Sequence, residues 1–76
     1  MTPEKLSKII GDNLAAARAE AGMTQAALSA KSRVAIHHIS RLESGNSELP
    51  TVTTLLRLAN ALAVPVCSLL DPPKKR

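Results

Sequence analysis

Residues 24–45 read TQAALSAKSRVAIHHISRLESG, and their spacing predicts two short helices joined by a tight turn. The first begins at Thr24, whose hydroxyl can cap the free N–H groups of a helix start, and it carries Leu28 inward with Ala27 and Lys31 to either side. The second covers residues 35–44. At about 100° per residue it puts Ala35, Ile39 and Leu42 on an inward apolar stripe, and Ile36, His37, Ser40, Arg41 and Ser44 on the opposite arc.

That outer arc holds one formal charge, Arg41, among short hydroxyls, an imidazole and the apolar Ile36. The mixture is unusual for a face that only meets water. It suits hydrogen bonding and methyl contact with a flat polar target, and the major groove of B-DNA is one, because its base edges present donors, acceptors and thymine methyls in distinguishable order. A helix, a turn and a second helix at this spacing is the helix-turn-helix arrangement.

The chain has 76 residues, enough for one small domain and no more. It lacks Phe, Tyr and Trp, and its apolar 45% comes from Ala, Leu and a few Ile, Val and Met, a composition for close-packed short helices rather than strands. The expected class is all-α, with a single domain over residues 1–70 and a flexible basic tail over 71–76. A net charge of +4 favours a polyanionic partner, while the missing aromatics count against a stacking platform for single strands.

One cysteine, Cys67, cannot form an internal disulfide, and it reads as a small hydrophobe in the last helix. The start MTPEKLSK lacks the apolar core of a signal peptide, so a cytoplasmic location is expected. The most apolar segment, residues 55–70, contains Arg57, Asn60 and Pro65 and falls short of a membrane span. No metal or cofactor is expected: His37 and His38 diverge around a helix, where chelation prefers a spacing of four, and no Gly-rich loop could hold a nucleotide. No nucleophile, base and orienting acid are arranged for catalysis, so an enzyme is not expected.

Upstream, Thr2, Pro3 and Glu4 form a strong helix start, and Leu6, Ile10, Leu14, Ala17 and Ala21 make one seam to about residue 21, where Gly22 ends the helix. Gly11 in the middle costs roughly 1 kcal/mol relative to Ala, which points either to a close neighbour or to fraying first turns. Met23 can staple onto Leu28. Downstream, residues 46–50 read as a loop, and Thr51 caps a fourth helix to Leu62 with Leu55, Leu58, Ala59 and Leu62 inward and Arg57 and Asn60 outward. A short fifth helix over residues 66–70 carries Val66, Leu69 and Leu70, more apolar surface than it can easily hide in one subunit, so a dimer contact is expected there.

Together with residues 50–70, PTVTTLLRLANALAVPVCSLL, the opening stretch resembles the lambda-repressor-like, Cro/C1 or XRE-type helix-turn-helix family over residues 9–70. The most specific pieces are Thr24, Gln25 and Leu28, then Ile39-Ser40-Arg41-Leu42-Glu43 ending in Gly45, then Pro50 and the Leu55-Leu56 to Ala61-Leu62 run. The resemblance implies a compact five-helix domain and a transcriptional regulator, commonly a dimer on a pseudo-palindromic operator in double-stranded DNA. Carried over by position, Ile36, His37 and Arg41 face base edges, and Gln25 sits at a phosphate and braces the recognition helix. Ser40, Ser44 and Asn46 lie near the backbone, and Arg18 and Glu43 pair as a salt bridge between the first and third helices.

Two departures bear on the turn. Relatives carry an apolar residue and then Gly where this chain has Ser32 and Arg33, and a capping Ser or Thr where it has Ala35. Either Arg33 adopts left-handed geometry at a cost of about 1 to 2 kcal/mol, or the turn is built differently, with Ser32 capping an early start of the third helix. Ala63 likewise replaces the usual Gly after the fourth helix. Arg33 reaches a phosphate from the turn or is simply a solvated cation, Arg41 meets a guanine or a phosphate, and Ile36 meets a thymine methyl or packs on the turn. A different class of function also fits: a protein-interaction module, such as an antitoxin docking a toxin through the fifth helix and tail.

Overall fold

In the computed structural model of the chain, which describes residues 2–45 and 49–72, five helices follow one another and no strand occurs among the described residues. They are α1 (Pro3–Glu20), α2 (Gln25–Ser32), α3 (Ile36–Ser44), α4 (Val52–Leu62) and α5 (Cys67–Leu70). Asn46 and residues 73–76 lie outside the described residues, as therefore do the backbone contact expected of Asn46 and most of the tail.

Local chemistry sets most helix ends. The hydroxyls of Thr2, Thr24 and Thr51 accept from the backbone N–H groups of Lys5, Ala27 and Thr54, so three of the five helices open on a Thr cap. At the end of α1, Gly22 N–H donates to the Ala19 carbonyl and Met23 N–H to the Arg18 carbonyl, with Gly22 at φ +71. This crossed pair of bonds needs the left-handed conformation that Gly adopts without strain. The same pair recurs after α4, where Ala63 N–H meets Asn60 and Val64 N–H meets Ala59, with Ala63 forced to φ 57.

The core draws on every helix: Ile10 and Leu14 of α1, Leu28 of α2, Ile39 and Leu42 of α3, Leu55, Leu58 and Leu62 of α4, and Leu69 of α5. Three expectations are corrected. Ala35 is exposed and precedes α3 rather than joining its inward stripe; Val34, from the turn, fills the core there instead. Leu69 is only 1% exposed, packed inside its own subunit because α5 lies against α1, so it has no surface to offer a second copy. Val66 and Leu70 remain partly buried, and Cys67, expected as a small hydrophobe, is exposed. The apolar excess after Val64 is thus largely absorbed within the subunit. Asn13 holds α5 in place, its side-chain amide donating to the carbonyls of Leu69 at 3.0 Å and Asp71 at 2.6 Å.

Gly11 is where α1 and α3 cross. A Cβ at this position would collide with the Leu42 carbonyl oxygen and approach the Glu43 carbonyl to 3.3 Å. Backbone cannot swing aside as a flexible side chain can, which selects the close-neighbour explanation over fraying. Gly11→Ala gains about 1 kcal/mol of helix propensity and loses about 1 to 3 kcal/mol or more to overpacking. The expected net effect is destabilisation by roughly 1 to 2 kcal/mol in denaturant titrations, and a more stable variant would show that the two helices do not need this contact. Ala63→Gly should act in the opposite sense, raising stability by about 1 kcal/mol, since it keeps the crossed hydrogen bonds and removes the left-handed penalty.

Candidate nucleic-acid interface

The interface is built on α2, the turn at residues 33–35, and α3. Arg33 takes φ 63, ψ 26, and its N–H donates to the Ser29 carbonyl at 2.9 Å, so the left-handed alternative is the one realised. Ser32 does not start α3. Buried where relatives place an apolar residue, it accepts the Val34 N–H on its hydroxyl at 3.2 Å, while the Ser29 hydroxyl donates to the Val34 carbonyl at 2.7 Å. Two hydroxyls therefore satisfy both polar groups of Val34 and let its side chain enter the core. α3 opens at Ile36 after Ala35, with no side-chain cap.

The inner side of α3 is anchored by Ile39 and Leu42, both essentially inaccessible. The outer side presents Ile36, 45% exposed, with His37, Ser40, Arg41 and Ser44, all exposed. These side chains share one free helical face, with the Ser44 hydroxyl donating back to the Arg41 carbonyl at 2.7 Å. Arg33 is exposed at the turn. His38 is half-buried.

Behind this face sits a polar clamp. Arg18 Nε donates to Glu43 Oε2 at 2.7 Å and Arg18 Nη2 to Glu43 Oε1 at 3.0 Å, a two-pronged contact from α1 to the end of α3. Arg18 Nη1 also donates to the Met23 carbonyl at 2.9 Å, and Gln25 Nε2 donates to Glu43 Oε1 at 3.0 Å. Gln25 therefore stands at the start of α2 with its amide committed to the clamp and is not on the outer arc of α3. The resemblance implies that Gln25 both sits at a phosphate and braces the recognition helix; its bond to Glu43 ties it to α3, a contact between residues 18 apart that has no local signature in the sequence. Val52 and Leu56 on α4 and Leu49 before it are also exposed.

Burial tends to raise the carboxyl pKa of Glu43, whose side chain is 9% exposed, but hydrogen bonds from Arg18 and Gln25 and the Arg18 charge outweigh it and hold the carboxyl below its ordinary range. The Glu43 hydrogen bond in turn raises Arg18. Since the folded value of Glu43 lies below the unfolded one, its contribution is complete above the unfolded value and is lost as pH falls through the folded value. Stability of the wild type should accordingly drop on acidification below about pH 4.5. Glu43→Gln should be less stable at neutral pH and show a flatter acid limb in thermal melts; parallel limbs for the two proteins would contradict the assignment.

Among the described residues no helix is long and apolar enough to cross a membrane. A helix-turn-helix family model matches residues 14–69. Over 67 residues, 88% of this chain and 86% of the relative, the sequence is 40% identical to y4dJ, an uncharacterised HTH-type transcriptional regulator of Sinorhizobium fredii. The fold is similar to the clp gene regulator ClgR from C. glutamicum, with a TM-score of 0.77, 32% identity, and coverage of 86% of this chain and 83% of that one. It is equally similar in shape, TM-score 0.77, to the restriction-modification controller protein C.AhdI from Aeromonas hydrophila, at 24% identity over 83% of this chain and 94% of that one. On the extent of these matches and the helix-turn-helix geometry that underlies them, the chain belongs to the Cro/C1-type (XRE) helix-turn-helix family of DNA-binding transcriptional regulators.

Proposed function

We propose that this protein is a sequence-specific regulator that lays α3 in the major groove of double-stranded DNA as a homodimer on a pseudo-palindromic operator, and represses by occupying it. The observation that carries the reading is the free outer face of α3, mixed in hydroxyl, imidazole, guanidinium and apolar groups, on a helix whose inner face is immobilised by Ile39, Leu42 and the Glu43 clamp. Rigid presentation limits the entropy lost on docking. Ile36, His37 and Arg41 are the base readers in this reading, with Arg41 suited to a guanine and Ile36 to a thymine methyl. Arg33, Ser40, Ser44 and Asn46 serve the backbone, and Gln25, whose amide Nε2 donates to Glu43 from behind, meets a phosphate with the second N–H of that amide. Val66 and Leu70 supply the apolar part of the dimer contact, with half-sites centred about 34 Å apart.

A selection on random duplexes followed by titration at several salt concentrations tests this. Arg41→Ala should cost about 1 to 3 kcal/mol and relax preference at one base position, whereas Gln25→Ala should weaken operator and random DNA alike. Equal losses on both kinds of DNA for Arg41→Ala would remove it from the readers, and an absence of any enriched sequence would sink the proposal.

A further inference from the structure

A second cationic feature adjoins the interface and shares Arg33 with it. Between the C-terminal end of α2 and the middle of α4 a cleft of about 310 Å³ is lined by Lys31, Ser32, Arg33, Arg57, Asn60 and Ala61. Ser32 and Ala61 are buried and form its floor, while Lys31, Arg33, Arg57 and Asn60 are exposed around it. The ion pairs among the described residues are Lys8 with Asp12 and Arg18 with Glu43, so none of the three cleft cations has an acidic partner there. We infer that this cleft binds a phosphate group.

Two features support phosphate over an ordinary basic surface. Two guanidiniums offer paired N–H groups that match phosphate oxygens, Lys31 adds a point charge, and the Asn60 amide a neutral donor, a complete set for a doubly charged oxyanion. The negative end of the α2 dipole accounts for Lys31 and Arg33 sitting where they do, but not for Arg57, which comes from mid-α4. The volume is at the small end of ligand sites and has room for a phosphate group.

The site does not depend on the major-groove reading; only the source of the phosphate does, either the backbone of a bound duplex or a free phosphorylated small molecule. Amide NMR of the full chain, titrated with inorganic phosphate at constant ionic strength, decides the site. Saturable shifts should centre on Ser32, Arg33, Asn60 and Ala61, and Arg57→Gln should weaken binding by about tenfold. Shifts there no larger than at Lys8, or insensitive to Arg57→Gln, would overturn the inference. The source follows from duplex binding: a fall of about 0.9 in the salt slope for Arg57→Gln identifies a backbone phosphate, and an unchanged slope identifies a free ligand. Failure of the wild type to bind any duplex would sink the operator proposal and leave the phosphate titration to decide the cleft on its own.

Discussion

Glu43 is the residue on which the orientation of α3 depends. Its carboxylate receives two hydrogen bonds from Arg18 of α1 and one from Gln25 of α2, so a single side chain at the end of α3 fixes that helix to both of the elements behind it. A nearly buried carboxylate is tolerated because these donors replace the water it has lost. Losing either partner strands the other charge, a cost of about 3 to 5 kcal/mol for fully buried pairs and less for one as open as Arg18 at 21% exposed. The same crossing is tightened by Gly11, which lets α1 approach the Leu42 carbonyl with no side chain between them. Ion pair and glycine are two halves of one constraint: the first sets which way α3 points, the second how close it lies.

The turn ahead of α3 reaches the usual geometry with unusual residues. Arg33 takes the left-handed conformation, and Ser32, a polar residue, occupies a buried position by satisfying the N–H of Val34. Ser29 takes care of the Val34 carbonyl. The backbone of the turn is thus paired almost as it would be in a helix, and the local cost of Arg33 is offset by seating Val34 in the core. Without a capping hydroxyl at Ala35, the first turn of α3 is held by packing from Ile39 and by the turn rather than by its own sequence.

Fold class and helix order were legible because each helix announces itself with cheap local chemistry. Thr2, Thr24 and Thr51 cap where their side chains can reach a free N–H, and leucines and isoleucines recur at three and four. The outer face of α3 was legible for the same reason, since helical register alone separates Ile36, His37, Ser40, Arg41 and Ser44 from Ile39 and Leu42. Register failed at the ends. Periodicity puts Ala35 inward because it carries no signal that the helix begins one residue later, and it leaves Leu69 surplus because hiding that side chain requires α1 alongside α5.

By itself the sequence determined the five helices, their caps and the composition of the exposed arc on α3, all of which follow from interactions within about four residues along the chain. Tertiary structure decided what spacing cannot encode: which strained option the turn adopts, why Gly11 stands mid-helix, and that Gln25 joins Arg18 on Glu43. It also brought Arg57 of α4 beside Lys31 and Arg33 of α2. Those outcomes depend on groups distant in sequence meeting at a few ångströms, and a contact of that kind has no local signature until the helices have packed.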